Sequence, residues 1–520
     1  MILTESLKID LLKTFESQDF FLAEKKAYTL LKQGFSDPWL CNILAVIFAK
    51  QKKYSFAAKY FKILTDLFPN DYESFFNLGN LYRDTKDICK SKEYYFLSLK
   101  KNPSHLETCF ELAKIFFLEK QFDKALNLAE RAAIINPNLF EVHDLIGQIL
   151  FSTGRFNESQ KKYDYLLKHS DKKLRDKILV NISSNKIELG LIKQAKTLLR
   201  ETKSEMGFYN LSLINIKEGN FSKGWKNFDY GILNGSRNVR NIDYLSDKMN
   251  LWHPKGNFKS VLVLGEQGIG DEIMYSSLIN NLISQKLKVG LLMDRRLKGL
   301  LSRSLETHEF IENHKEAVHK GYSSYIPIAS LCKFFRNSKD DFNKNSFYFR
   351  SNKSILKKLI TNYKSQKPRI GISWHTESLS HGKQRNIKLS KFIHLFKNEN
   401  IDFINLQYGN HDTEINRLSK KLKRNIFLND SIDNKNDIDG LSAKIEACDI
   451  VISIDNSTLH LAGSLNKDTI GLIPKVSDWR WMSSTNLTPW YKSVQLLRSD
   501  KNWEKVILEA QNYCIDKFNL

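Results

Sequence analysis

At 520 residues the chain is longer than one hydrophobic core organises, so two or three domains are expected. Hydrophobic residues at 42% and charged residues at 27% fit an ordinary folded protein and exclude a disordered or fibrous one. The net charge of +22 is spread along the whole chain beside abundant Asn, Ile and Phe, as an AT-biased coding sequence produces. With no basic tail or arginine-rich arm, it reads as a solvated surface rather than a nucleic-acid footprint.

The first residues carry acids and no long apolar core, so no secretory signal is expected there. The longest apolar run, 43–49, falls far short of the roughly 20 residues that span a bilayer. Six cysteines (Cys41, Cys89, Cys109, Cys332, Cys448, Cys514) contain no Cys-x-x-Cys pair. They predict reduced thiols, no zinc site and a cytoplasmic protein without a membrane span.

Pro69, Pro103 and Pro137 fall at two successive intervals of 34 residues. Aligning on them stacks small residues where paired helices must touch: Ala45, Gly79, Ala113 and Gly147, then Ala57 and Ala125. Leu44, Leu78, Leu112 and Ile146 fill between them, followed by Phe48, Tyr82 and Phe116. Proline closes each unit because it cannot continue the second helix. This period resembles the tetratricopeptide repeat. The pattern weakens through 140–167 and returns at Gly219, Phe221, Gly224, Trp225 and Phe228, predicting about six helix pairs in a solenoid over 1–235. Such arrays hold protein partners. Asn77 and Asn80 are expected on the concave face, although Ile43, Glu111 and Leu145 interrupt an asparagine ladder.

A polar connector, 236–258, leads into short β-rich runs that alternate with helices. The first lobe, 259–366, contains strands at 261–265, 288–293 and 324–328, a helix from Glu272 and a short one from Arg295. The second lobe, 367–497, contains strands at 368–374, 403–407, 426–430, 449–455 and 468–474, separated by helices at 389–396, 411–422, 437–448 and 458–465. A helix covers 498–520. This alternation predicts two parallel α/β sheets of nucleotide-binding type, with ligand at the carboxyl ends of their strands. Gly265, Gly268 and Gly270 do not match the G-x-G-x-x-G dinucleotide fingerprint, and no GxxxxGK phosphate loop exists. Neither a dehydrogenase nor an NTPase is expected.

Five stretches in order carry a resemblance: GEQGIGDEIMYSS, GISWHTESLSHGKQRNIKLS, NLQYG, ISIDNSTLHLAGSL and PKVSDWRWMSSTNLTPWY. From 220 to 495 the chain resembles bacterial tetratricopeptide-repeat proteins whose C-terminal domain is similar to the family-9 glycosyltransferases, which include the lipopolysaccharide heptosyltransferases. The layout is also similar to that of O-GlcNAc transferase. The resemblance implies a GT-B fold of two Rossmann-like subdomains, a nucleotide-sugar donor as substrate, no cofactor, and an inverting reaction without a metal.

Inverting transfer needs a carboxylate to accept the acceptor's proton and positive charge on the departing diphosphate. Asp271, closing the glycine turn of Gly268 and Gly270, matches the family's acid and is the candidate base, with Glu266 second. An aspartate at a helix start also caps free N–H groups, for about 1 kcal/mol, so both roles stand open. Asn456, Ser457 and Thr458 open a helix after a buried strand and are expected to meet a phosphate. Asp455 and His460 match family positions near the donor, or else end a strand and fill the core as a satisfied histidine; Lys383 and Arg385 match the family's basic loop, or else lie on a plain solvated one; Ser373 and Gln407, at strand ends, are expected in the same pocket. The DWRWM segment is expected beneath the nucleotide or in the core. Asp437-Ile-Asp439 is the one Asp-x-Asp triplet and reads as a helix cap, not a metal site. Two functions follow: a glycosyltransferase acting on a protein or glycan acceptor recruited by the repeats, or a non-catalytic scaffold with a degenerate transferase-like domain.

Overall fold

The computed structural model describes residues 3–35, 37–169, 171–306, 308–343, 348–377, 382–428, 430–483, 485–500 and 502–520, with backbone alone at 382 and 383. The chain divides into two compact units, Met1–Asn185 and Lys186–Leu520.

Antiparallel helix pairs build the first unit, a tetratricopeptide-like array. Its paired helices are Glu5–Glu16 with Phe20–Lys32, Pro38–Lys50 with Tyr54–Leu67, and Tyr72–Asp84 with Ile88–Lys101; Leu106–Leu118 with Phe122–Ile135, and Phe140–Ser152 with Phe156–His169, follow. Aspartates start several of them: Asp37 accepts from Trp39 N at 2.9 Å ahead of Pro38, and Asp71 from Ser74 N at 3.1 Å. The turn inside each pair is also periodic. Gln18, Lys52, Lys86, Lys120 and Gly154 recur every 34 residues, all with positive φ between 60° and 80°. The chain must turn left-handed at this position to bring the second helix back, and only the last of the five is glycine.

The small residues at the helix crossing are matched to their partners. A methyl group on Gly79 would meet the Tyr95 ring at 2.4 Å, and one on Gly147 the Tyr163 ring at 2.6 Å. Where the register supplies Phe61 or Ala129 in place of tyrosine, alanine is present at 45 and 113. Ser91 and Ser159 lock the same crossings by donating to the Gly79 and Gly147 carbonyls at 2.9 and 2.8 Å. Asn77 is not set apart for a peptide backbone: it donates to Asn42 at 2.9 Å, while Asn80 accepts from the Tyr95 hydroxyl at 2.7 Å.

Helices Lys172–Glu188, Ile192–Glu201, Glu205–Lys217 and Phe221–Phe228 follow in chain order, with Glu205–Lys217 packed against both Ile192–Glu201 and Phe221–Phe228. The last of these belong to the second unit. Trp225 is fully buried there, donating Nε1–H to Arg336 O at 2.7 Å and meeting Phe228, Trp479 and Trp490 edge-on.

Two five-stranded parallel sheets form the rest of the second unit. The first contains β1 (Asn250–Leu251), β2 (Ser260–Leu264), β3 (Lys288–Leu292), β4 (Glu309–Phe310) and β5 (Ser324–Pro327), in the order β1-β5-β2-β3-β4. The second contains β6 (Arg369–Ser373), β7 (Asp402–Asn405), β8 (Ile450–Ile454), β9 (Thr469–Pro474) and β10 (Val494–Ser499), in the order β10-β9-β8-β6-β7. In each, the first long strand is flanked by its successor on one side and a later strand on the other, leaving a crevice at the carboxyl ends where the order reverses. The central strands β2 and β8 are buried throughout, which accounts for sequences that are apolar but for Ser260 and Ser453.

Three edge strands, β1, β4 and β10, were not legible as strands, whereas the strand expected at 426–430 does not form among the described residues. Its consecutive apolar residues serve burial without a ladder: Ile426 enters the core, and Phe427 stacks on Trp374 at 5.9 Å. The stretch 236–258 is no loose connector either, since Arg237, Val239, Leu245, Met249 and Trp252 are buried.

Opposite substitutions in one repeat separate crossing sterics from intrinsic propensity. Gly79→Ala gains about 1 kcal/mol of helix propensity but must displace Tyr95, so a net loss of about 1–2 kcal/mol is expected. Lys86→Gly relieves a left-handed lysine and is expected to raise stability by up to about 1 kcal/mol. Urea unfolding of the two variants checks both signs.

Candidate functional site

The carboxyl ends of both sheets open onto a cavity of about 620 Å³ within the second unit. From the first sheet come Gln267, Gly268, Ile269, Gly270 and Asp271 after β2, and Arg296 after β3. The second sheet contributes Thr376, Glu377 and Arg385 after β6, and Tyr408, Asn434, Lys435 and Ile438 in the region after β7. Asp455, Asn456, Ser457 and His460 follow β8, and Asp478, Trp479 and Arg480 follow β9. Helix Glu205–Lys217 adds Tyr209 and Leu213, so the last repeat pair also forms part of the wall.

A chain of alternating charges crosses this cavity. Arg480 donates from Nε to Asp271 at 2.7 Å and from Nη1 to Asp478 at 2.7 Å. Arg385 lies 3.6 Å from Asp478 and 3.2 Å from Asp455. Burial raises the Asp271 carboxyl above its ordinary pKa, and Arg480 offsets only part of that rise. The Asp455 carboxyl is likewise raised by burial, against the pull of Arg385. Burial would also raise Asp478, but Arg480 and Arg385 together carry it well below the usual carboxylate range.

The helix start at Asp271 differs from expectation. Gly268 is the N-cap, the helix spans Ile269–Tyr275, and the Asp271 side chain turns away from the backbone toward Arg480. It is therefore not a cap. Gly270 permits a close approach of the two lobes: a methyl group there would meet His460 Cδ2 at 3.2 Å and Ser457 Cα at 3.4 Å.

Helix Ser457–Ser464 is capped by Asn456, whose Oδ1 accepts from Thr458 N at 3.0 Å and Leu459 N at 3.3 Å. The Thr458 N–H expected to meet a phosphate is thus already taken, and Thr458 does not line the cavity. His460 does. It stacks on Trp481 at 4.8 Å and pairs through Nδ1 with the Tyr491 hydroxyl at 3.0 Å. Burial, reinforced by Arg480, pushes its pKa down to about 3, so the ring is neutral near pH 7.

Of the residues singled out from sequence, Gly268, Gly270, Asp271, Arg385, Asp455, Asn456, Ser457 and His460 meet in one cavity. Glu266 does not: both of its oxygens accept from Arg237, at 2.7 and 2.8 Å, and one also from Ala329 N at 2.8 Å. With both partners buried and every bond internal, Glu266 is a structural anchor and not a second base. Ser373 and Gln407 lie beneath the lining. Gln407 Oε1 accepts from Trp374 N, His375 N and Ser373 Oγ, tying the ends of β6 and β7 together. The Lys383 side chain falls outside the described residues. Asp437 caps its helix, accepting from Gly440 N at 2.8 Å, and Asp439 pairs with Arg303.

Sequence reasoning missed Arg480 and Asp478 as site residues because their neighbours Trp479 and Trp481 read as packing. Their signal was position: they follow the buried strand β9, on the same sheet edge as Asp455 after β8.

No family model matches the chain. It is similar to protein FlbA of Caulobacter vibrioides, 22% identical over 531 residues that take in 95% of this chain and 87% of that protein. The similarity therefore runs through both repeats and sheets. Among solved structures, a tetratricopeptide repeat protein from Parabacteroides merdae is 15% identical, covering 47% of this chain and 96% of its own, with a TM-score of 0.36. MamA from AMB-1 is 22% identical, covering 31% and 94%, with a TM-score of 0.28. Among the described residues no helix is long and apolar enough to cross a membrane.

Glu266→Gln leaves Arg237 buried without its bidentate partner and is expected to cost about 3–5 kcal/mol, read as a lower unfolding midpoint of the second unit. An unchanged midpoint would contradict the anchoring role. His460 makes stability depend on pH. Between its unfolded pKa near 6.5 and the folded value of about 3, the unfolded chain binds a proton that the folded one refuses. Stability therefore falls with acidification, by about 1.4 kcal/mol per pH unit. His460→Gln is expected to remove that slope, narrowing the stability gap to the parent by about 2 kcal/mol between pH 6.5 and 5.

Proposed function

We propose that the second unit is a GT-B glycosyltransferase that moves a sugar from a nucleotide-sugar donor to a protein or glycan acceptor, and that the repeat array recruits the acceptor. The observation that carries this reading is the pairing across the cavity. One sheet presents a buried carboxylate of raised proton affinity, Asp271, and the other presents two largely buried guanidiniums, Arg385 and Arg480. A volume of about 620 Å³ falls within the ordinary range of small-molecule sites.

In the proposed reaction the acceptor hydroxyl gives its proton to Asp271 as its oxygen bonds to the anomeric carbon. The bond from that carbon to the diphosphate oxygen breaks, and the electron pair leaves with the diphosphate. Attack opposite the leaving group inverts the configuration. Arg385 and Arg480 face the charge that develops, in a site sheltered enough to strengthen their effect. With guanidiniums in this role, the transfer is proposed to proceed without a metal ion.

A second reading has its own support. Asp271, Arg480, Asp478, Arg385 and Asp455 already satisfy one another, as the groups of a retired site would. The chain would then be a scaffold whose repeat array binds protein partners, the role to which tetratricopeptide-like architecture is generally suited.

The two readings separate on a panel of nucleotide sugars, by thermal stabilisation and by release of free nucleotide. Under the transferase reading, one donor class raises the midpoint and is turned over. Asp271→Asn then retains the stabilisation and loses about 10²–10⁴ in turnover. A scaffold gives neither response with any donor.

A further inference from the structure

Resting on the transferase reading, we propose that Arg480 is a positioning residue: it masks Asp271 in the empty site and releases it when a donor diphosphate takes over its guanidinium. The base would then be free of the guanidinium only in the donor-loaded enzyme.

The geometry sets this up. Arg480 spans both lobes, one arm on Asp271 and the other on Asp478, and it lines the cavity a diphosphate would enter. A dianionic group competes well for a guanidinium that two single carboxylates now share. Both Arg480 contacts fall on Asp271 Oδ1 and draw the carboxylate toward its charged form, so without donor it is the weaker base. Arg385, facing Asp455 and Asp478 from the opposite side, offers the diphosphate a second guanidinium.

Only the side chain needs to move, because the backbone is held on both sides of it, at Ser477 and at Trp481 and Met482. Arg480 lies in the turn Trp479–Trp481, and its guanidinium rests over the Trp479 ring at 4.5 Å. Lys217 donates to Ser477 O, and Arg498 to Trp481 O at 2.7 Å and Met482 O at 3.2 Å. Met482 itself adopts φ 57° and ψ 177°, a conformation that a non-glycine residue keeps only when its surroundings impose it. Strain fixed at this turn is what a device needs if it is to aim one guanidinium at two alternative anions.

The exchange leaves a signature at Asp271. Around that carboxylate stand Arg480 and Asp478 from the turn after β9, Glu266 from the glycine turn, and the uncharged Tyr275 and Tyr491. Arg480 is the cation among these that contacts it, so its departure leaves a buried carboxylate that binds a proton more tightly.

Calorimetric titration of the full chain with UDP, GDP, ADP and CDP at pH 5.5, in buffers of different ionisation enthalpy, reads that proton. The parent is expected to take up more protons per diphosphate bound than Asp271→Asn does, by up to about one; titration of the ligand itself cancels in the difference. Equal uptake by parent and variant, with the diphosphate bound in both, overturns the masking role and leaves the transferase reading intact. No binding of any of the four overturns both. Arg480→Lys supplies a second variant: a lysine cannot donate to both acids from separate arms of one plane, so the acid limb of its kcat/KM profile, which reports the free enzyme, is expected to move to higher pH. An unmoved limb also overturns the proposal.

Discussion

The buried pair between Arg237 and Glu266 is the constraint on which the second unit depends. Arg237 emerges just after the last repeat helices, bonds Asp229 at 2.8 Å, and lies over the Phe228 ring at 4.4 Å. Glu266 begins the glycine turn after β2 and also accepts from Ala329 N just beyond β5. One ion pair therefore fixes the end of the repeats, the turn that presents Asp271, and the crevice between two neighbouring strands. Both side chains are removed from water, which makes the pair costly to bury and costlier still to break. Its value is in the position it imposes on everything attached to it.

That role was hidden in the sequence for a physical reason. Glu266 sits in a polar turn beside glycines, where an acid reads as exposed and available for chemistry. Arg237 sits in a run of Asn, Ser and Arg that reads as linker. Only three-dimensional proximity turns the two into a buried anchor. By contrast, the repeats were legible because proline and small-residue spacing reports helix packing directly. The left-handed turn inside each repeat was not, since Lys52, Lys86 and Lys120 occupy a conformation usually signalled by glycine. The long buried strands declared themselves by largely apolar runs, whereas β1 and β4, two residues each, carry too little pattern to see.

The same contrast runs through the site. Asp271, Asp455, Asn456, Ser457 and His460 were legible because strand-to-helix turns place their residues at the carboxyl edge of a parallel sheet. Thr458 and Gln407 have the right position but their bonding capacity is used inside the protein, in a helix cap and in a clasp between strand ends. Position along a strand end identifies who is near a ligand; the hydrogen-bond inventory decides who has a hand free.

This inventory also bears on the electrostatics of the cavity. Three carboxylates and two guanidiniums form the central chain, so in the structure it carries no excess of positive charge. An incoming diphosphate gains from the arginines only to the extent that the acids yield them, and the acids do not yield equally. Asp478, held deprotonated between both arginines, is the hardest to displace. Asp271 and Asp455, raised by burial, are the weaker competitors because each is already disposed to take a proton instead. An anion that enters this network is therefore expected to open it at its two ends before its centre. One of those ends is Asp271, the carboxylate proposed as the base.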